Sequence, residues 1–207
     1  MIFKVCGLRE ANNIRAVEET GADWLGFIFY SKSPRFIDNI PQYLPQQSKR
    51  VGVFVHPQFR EVVEKVKQFE LQAVQFHGIA SPEMCQTFRE RGLTVIRALP
   101  ATNDFVAETA EYTNKIDYFL FDTPTLNFGG SGKSFDWTLL QHYTGPTPFL
   151  ISGGLSLQSV EALQHFHHPF LAGYDLNSGF ETAPALKNVA ALKQFITLMK
   201  TAANDEE

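Results

Sequence analysis

Short apolar runs rich in β-branched and aromatic residues alternate with amphipathic stretches along the whole chain. Ile2–Cys6, Trp24–Phe29, Arg50–Val55, Gln72–His77, Thr94–Ala98, Ile116–Asp122, Pro148–Ser152 and Phe170–Leu176 read as strands. Between them the apolar positions change to helical spacing. Phe59, Val62, Val63 and Val66 fall at i, i+3, i+4 and i+7, as do Leu192, Phe195, Ile196 and Met199. Ser81-Pro82 followed by Glu83 reads as an N-cap, a first helical position and a first-turn acid. Pro184 is expected to open the last helix and Asp136 to start an earlier one, while Gly21 and Gly92 punctuate helix ends.

The predicted strands end 21 to 30 residues apart, one βα unit each time. Strands alternating with helices imply a parallel sheet. An open flavodoxin-like sheet needs only about five strands, which would leave three over. The expected fold is therefore α/β, a (β/α)8 TIM barrel. No linker or low-complexity tract divides the chain, so residues 1–207 are read as one domain. Barrels of this kind run to about 250 residues, so here the loops must be brief.

Composition changes this picture little. The chain is 44% hydrophobic and 19% charged, enough for a sizeable core. A net charge of −4 without a basic cluster argues against nucleic-acid or anionic-membrane binding as the main function. No run approaches the roughly 20 apolar residues of a membrane helix. The opening residues lack the pattern of a signal peptide, and two cysteines make no disulfide framework, so a reducing cytoplasm is expected. Nothing in the chain points to an obligate protein partner.

The candidate chemistry lies at the strand ends, where such barrels build their sites. There stand Cys6, Tyr30 with the loop through Arg35, His56, His77, Arg97, Asp122, Ser152-Gly153-Gly154 and Asn177-Ser178-Gly179. Each has a plain structural role open to it: Cys6 as a core residue, Asp122 as a loop cap, Arg35 as a solvated charge, His56 as a structural residue before Pro57, and His77 as wall or contact. Cys6 and Asp122 on opposite sides of one mouth would form an acid–base pair. Gly129-Gly130-Ser131-Gly132-Lys133-Ser134 fails as a nucleotide P-loop, because position 127 is Asn where that motif needs Gly. It is expected instead to form a lid over Asp122. The glycine turns at Gly153-Gly154 and Gly179 end the last two strands, where barrels frequently bind phosphate. His165, His167 and His168 fit no common zinc spacing, and no metal is expected.

Several segments together resemble the phosphoribosylanthranilate isomerase family. They are Lys4-Val5-Cys6-Gly7-Leu8, Gly21 through Phe29, Ser33-Pro34-Arg35, Val51 through Val55, and Val74-Gln75-Phe76-His77-Gly78. Later come Asp122 with Gly129 through Lys133, Phe135-Asp136-Trp137, and Ser152 through Leu155. The resemblance implies a cofactor-free Amadori rearrangement of a phosphorylated small molecule in tryptophan biosynthesis. It implies Cys6 as general base and Asp122 as general acid. Arg35 would meet the anthranilate end, His77 would line the pocket, and Gly153, Gly154, Asn177, Ser178 and Gly179 would hold the phosphate. Asn177 departs from the serine common in the family, which makes its side-chain role less direct than that of Ser178.

The chemistry sets requirements of its own. A free thiol titrates near about 8.5 and an aspartate near about 3.9, so each must move toward neutrality. Burial should raise Asp122, and nearby donors or a cationic substrate imine should lower Cys6. Two rivals remain on the sequence alone. A phosphosugar epimerase would want paired acids or a metal, and a non-catalytic phosphate-binding barrel would have no use for the Cys6/Asp122 pair.

Overall fold

The structure is a computed structural model that describes residues 1–102, 105–123 and 136–204. Eight parallel strands close into a barrel in sequence order: β1 (Ile2–Cys6), β2 (Trp24–Ile28), β3 (Lys49–Val55), β4 (Ala73–His77), β5 (Thr94–Pro100), β6 (Tyr118–Asp122), β7 (Phe149–Ile151) and β8 (Leu171–Leu176). The strand boundaries lie within two residues of those predicted. Pairing of Ile2 with Gly173, Phe3 with Tyr174, Lys4 with Asp175 and Val5 with Leu176 closes the ring.

The strands are apolar on both sides because both sides are covered. One parity points inward: Trp24, Val51, Ala73, Ile96, Ala98, Leu120 and Leu150 pack together inside the barrel. The other parity, including Phe27, Phe54, Phe76, Phe119 and Phe149, packs outward with the buried residues of the helices.

Helices α1 (Ala11–Glu18), α2 (Phe59–Phe69), α3 (Pro82–Glu90), α4 (Phe105–Ala110), α5 (Val160–Gln164) and α6 (Val189–Asn204) form the outer layer. Ser81 caps α3 as predicted, its hydroxyl accepting from the Met84 N–H at 3.2 Å. Asp136 caps a 3-10 helix at Trp137–His142, at the helix start expected there. Leu192, Phe195, Ile196 and Met199 of α6 are all buried, so its periodicity was read correctly.

Two expectations fail. The chain from 29 to 48 contains no helix, so β2 and β3 are joined by an irregular loop. Pro34, Pro41 and Pro45 remove donors and bias the residues before them away from helical angles. Nor does Pro184 open the last helix. It lies in the turn of a small antiparallel hairpin, β9 (Glu181–Ala183) with β10 (Leu186–Lys187), and α6 begins at Val189. The hairpin folds residues 181–187 back beside the barrel mouth, where Glu181 and Lys187 acquire partners described below.

Candidate active site

One cavity opens at the C-terminal ends of the strands. Cys6, Arg35, His77, Asp122, Gly153, Gly154, Asn177, Ser178 and Gly179 all line it, so every residue named from the sequence for catalysis or binding converges there. Two other strand-end residues do not. Arg97 has outward parity; its guanidinium donates to the carbonyls of Phe76 (3.0 Å) and Gly78 (2.7 Å) and lies over the Tyr112 ring. Its neighbours Ile96 and Ala98 take the inward positions. His56 accepts from the Ile79 N–H at 2.8 Å, which fits the structural role expected of it. The glycine segment 129–134 lies outside the described residues.

Cys6 is the last residue of β1 and points inward against Ile28 and Val53. Burial pushes its thiol above the ordinary range; Lys4 opposes that push. Burial wins, so of the two influences expected to lower Cys6, nearby backbone donors do not offset it.

Asp122 ends β6. Its Oδ1 accepts from the Thr123 N–H at 2.8 Å. Burial, joined by the negative charge of Asp175, pushes its carboxyl from 3.8 up to about 6. Gly153 stands against it at a φ of +83°, and a Cβ there would lie 2.1 Å from Thr123 Oγ1 and 2.8 Å from Asp122 Oδ1. Only glycine allows both this backbone conformation and this approach.

His77 follows Gln75 on the inward face of β4, and the Gln75 amide lies 2.6 Å from His77 Nε2. Burial, with the positive charges of Lys4 and Arg97, holds His77 down to about 3, so the ring is neutral at physiological pH. Arg35 grips Glu181 through Nε at 2.8 Å and Nη2 at 2.6 Å, a bidentate ion pair. Its Nη1 takes no part in that contact. Although burial works the other way, Arg35 and Lys187 hold Glu181 below its ordinary range.

Lys187 donates to Glu181 Oε1 and to Asn177 Oδ1, both at 2.7 Å. Asn177 therefore acts on the cavity from a side chain already fixed by a lysine. The loops after β7 and β8 contribute Gly153, Gly154, Ser178 and Gly179 to one side of the cavity. Gly179 comes so close to the Leu155 carbonyl that a Cβ would sit 2.1 Å from that oxygen.

Sequence reasoning gave no role to Lys4, Gln75, Asp175, Glu181 or Lys187. Strand parity contained a signal for three of them. Lys4 precedes Cys6 by two, Gln75 precedes His77 by two, and Asp175 precedes Asn177 by two, so each shares an inward face with a named residue. For Glu181 and Lys187 no such signal existed: Glu181 lies beyond the end of β8, and Lys187 fell within the helix expected to open at Pro184.

Among the described residues no group of three or more His, Cys, Asp or Glu side chains could hold a metal ion. What the cavity offers is a buried thiol, a carboxyl that titrates near neutrality, a tethered guanidinium and a glycine-rich wall.

Residues 3–198 match the sequence model of the N-(5'-phosphoribosyl)anthranilate isomerase family. The chain is 49% identical over 201 residues to the N-(5'-phosphoribosyl)anthranilate isomerase of Phocaeicola vulgatus, covering 97% of this chain and 98% of that one. It is 47% identical over 205 residues to the enzyme of the same name from Parabacteroides distasonis, covering 95% and 92%. Among solved structures, phosphoribosyl anthranilate isomerase from Thermotoga maritima superposes with a TM-score of 0.83 at 34% identity, covering 97% of this chain and 100% of that chain. Another isomerase structure, in complex with reduced 1-(o-carboxyphenylamino)-1-deoxyribulose 5-phosphate, superposes with a TM-score of 0.80 at 32% identity, covering 97% and 100%.

Proposed function

We infer the chemistry of this site from one premise: the chain belongs to the N-(5'-phosphoribosyl)anthranilate isomerase family. Its reaction is the isomerisation of N-(5'-phosphoribosyl)anthranilate to 1-(2-carboxyphenylamino)-1-deoxyribulose 5-phosphate in tryptophan biosynthesis. The assignment of residues to steps is our own reading.

Asp122 is the general acid. It gives its proton to the furanose ring oxygen as the bond from that oxygen to C1' breaks, and the anilino nitrogen supplies the electron pair that forms the Schiff base. The iminium so formed withdraws electrons from C2' and makes its proton labile. Cys6, as thiolate, removes that proton to give the enol-amine, which tautomerises to the ketone. A cationic iminium beside the thiol also lowers its proton affinity when it is needed as a base.

Arg35 meets the anthranilate carboxylate with the Nη1 that Glu181 leaves open, and neutral His77 lines the same pocket without adding charge. Gly153, Gly154, Ser178 and Gly179 bring backbone N–H groups to the phosphate, while Asn177, fixed by Lys187, contributes less directly. The reading needs no cofactor. A cytoplasmic location rests on the sequence and on the soluble substrate; no helix among the described residues is long and apolar enough to cross a membrane.

The observation that carries the assignment is that Cys6 and a carboxyl held at about 6 share one cavity. The test follows the loss of phosphoribosylanthranilate fluorescence. Cys6→Ala and Asp122→Asn should each lower kcat at least about a hundredfold, with KM nearly unchanged. Near-normal turnover by either variant would remove that residue from its role.

A further inference from the structure

Beneath the site lie two charges that the steps above leave unused. Lys4 and Asp175 are 0% and 5% exposed and form an ion pair at 2.7 Å, at paired positions of β1 and β8. Desolvating such a pair commonly costs as much as the attraction returns, and well-packed apolar residues serve stability equally well. Elsewhere the barrel interior is packed by apolar side chains such as Val51, Ile96, Leu120 and Leu150. Stability therefore gives no reason for the pair, but its location does. Lys4 precedes Cys6 by two residues on the inward face of β1, and its positive charge works against the burial that raises the thiol. Asp175 lines the cavity together with Cys6 and Asp122.

We propose that the Lys4–Asp175 ion pair is a positioning pair for the isomerisation, its ammonium end acting on Cys6 and its carboxylate end on Asp122. This rests on the assignment of Cys6 as base and Asp122 as acid. The reactive form of the free enzyme carries a thiolate and a protonated carboxyl at once, the reverse of the order in which these groups normally titrate. Between the two titrations the population of that form falls tenfold for each pH unit separating them. A charge pair that draws the two groups together raises that population.

The surrounding charges bear this out. At Cys6 burial raises the thiol, Lys4 is the strongest opposing influence, and Asp175 acts in the other direction but more weakly. Lys187 on β10 also lowers Cys6, but its ammonium is bound to Glu181 and Asn177. At Asp122 burial raises the carboxyl, Asp175 adds to it, and the Thr123 N–H, Lys4 and Ser152 oppose it. Across the cavity His77 is neutral and Arg35 is tied to Glu181. Lys4 and Asp175 thus form a single contact whose two ends pull the acid and the base in opposite directions.

The test replaces the pair by apolar side chains, Lys4→Met with Asp175→Leu, and measures kcat/KM against pH. The acid limb should move to lower pH and the alkaline limb to higher pH, while the plateau drops about tenfold per unit of added width. The Cys6 thiolate titration, read near about 240 nm as the difference from the same protein carrying Cys6→Ala, should move upward with the alkaline limb. A plateau that falls with both limbs unmoved shows a purely structural pair and overturns the proposal, as does an unchanged profile. If circular dichroism shows the double variant unfolded, Asp175→Asn decides: with Lys4 retained, both titrations should move down, and unmoved limbs overturn the proposal. Failure of the underlying roles would be distinct, since Cys6→Ala in the otherwise unchanged enzyme would then still turn over.

Discussion

Asp122 shows how one side chain serves function at the expense of stability. Folding lifts its carboxyl from 3.8 to about 6, so between those values the native state binds more protons than the unfolded chain. Stability therefore falls as pH rises through that window, and above it a cost on the order of 2 kcal/mol remains. Asp122→Asn removes the charge and keeps an acceptor for the Thr123 N–H. That variant should melt about 5 °C above the parent at pH 7.5 and nearly with it at pH 4, even though it turns over poorly. Equal melting temperatures at pH 7.5 would mean that Asp122 is not raised by burial. The direction of this shift was legible from the sequence, since an acid ending an apolar strand must be desolvated. The state of Cys6 was not, because it is the balance of burial against Lys4, Asp175 and Lys187, the last 181 residues away in the chain.

The strands and the loops that follow them carry the second part of the argument. The turn after β7 must bring backbone against Asp122, and Gly153 makes this possible. Gly153→Ala adds a Cβ 2.8 Å from Asp122 Oδ1 and 2.7 Å from the Thr123 nitrogen, neither of which can swing aside freely. It should lower kcat/KM at least about tenfold, through loss of about 1.4 kcal/mol of transition-state stabilisation. Gly92→Ala is the control. Gly92 has a similar φ of +85°, but nothing lies within 4 Å of the added Cβ. It should cost about 1 kcal/mol in stability, read from a urea midpoint, with unchanged kinetics. Equal kinetics in the two variants would show that the approach to Asp122 does not matter. The strands were recoverable from periodicity because a run covered on both faces must be apolar throughout. The 29–48 loop and the 181–187 hairpin were not recoverable by counting βα units. Local proline chemistry overrides the helix in the first, and in the second Arg35 and Lys187 reward a fold-back that no local pattern announces.

Closure holds the molecule together, and closure depends on strands at opposite ends of the chain. Where β1 meets β8, a Cβ on Gly173 would lie 2.0 Å from the Ile2 carbonyl oxygen, a backbone atom fixed by the ladder. Gly173→Ala should therefore lower the urea midpoint sharply, with a loss of about 3 kcal/mol or more, and turnover should fall with the folded fraction. A variant as stable as the parent would show that the β1–β8 seam tolerates displacement. The same seam sets Lys4 beside Asp175, so the contact that closes the barrel also lies under the acid and the base. The order of strands and the placement of Cys6, Asp122 and the glycine turns at strand ends were written in the sequence, because they follow from local periodicity and from the rule that strand ends form the mouth. The proton affinities, the tether on Arg35, the outward direction of Arg97 and the ion pair beneath the site came only with the closed barrel. Each depends on which distant side chains share a buried space, and no local pattern encodes the electric field that such neighbours create.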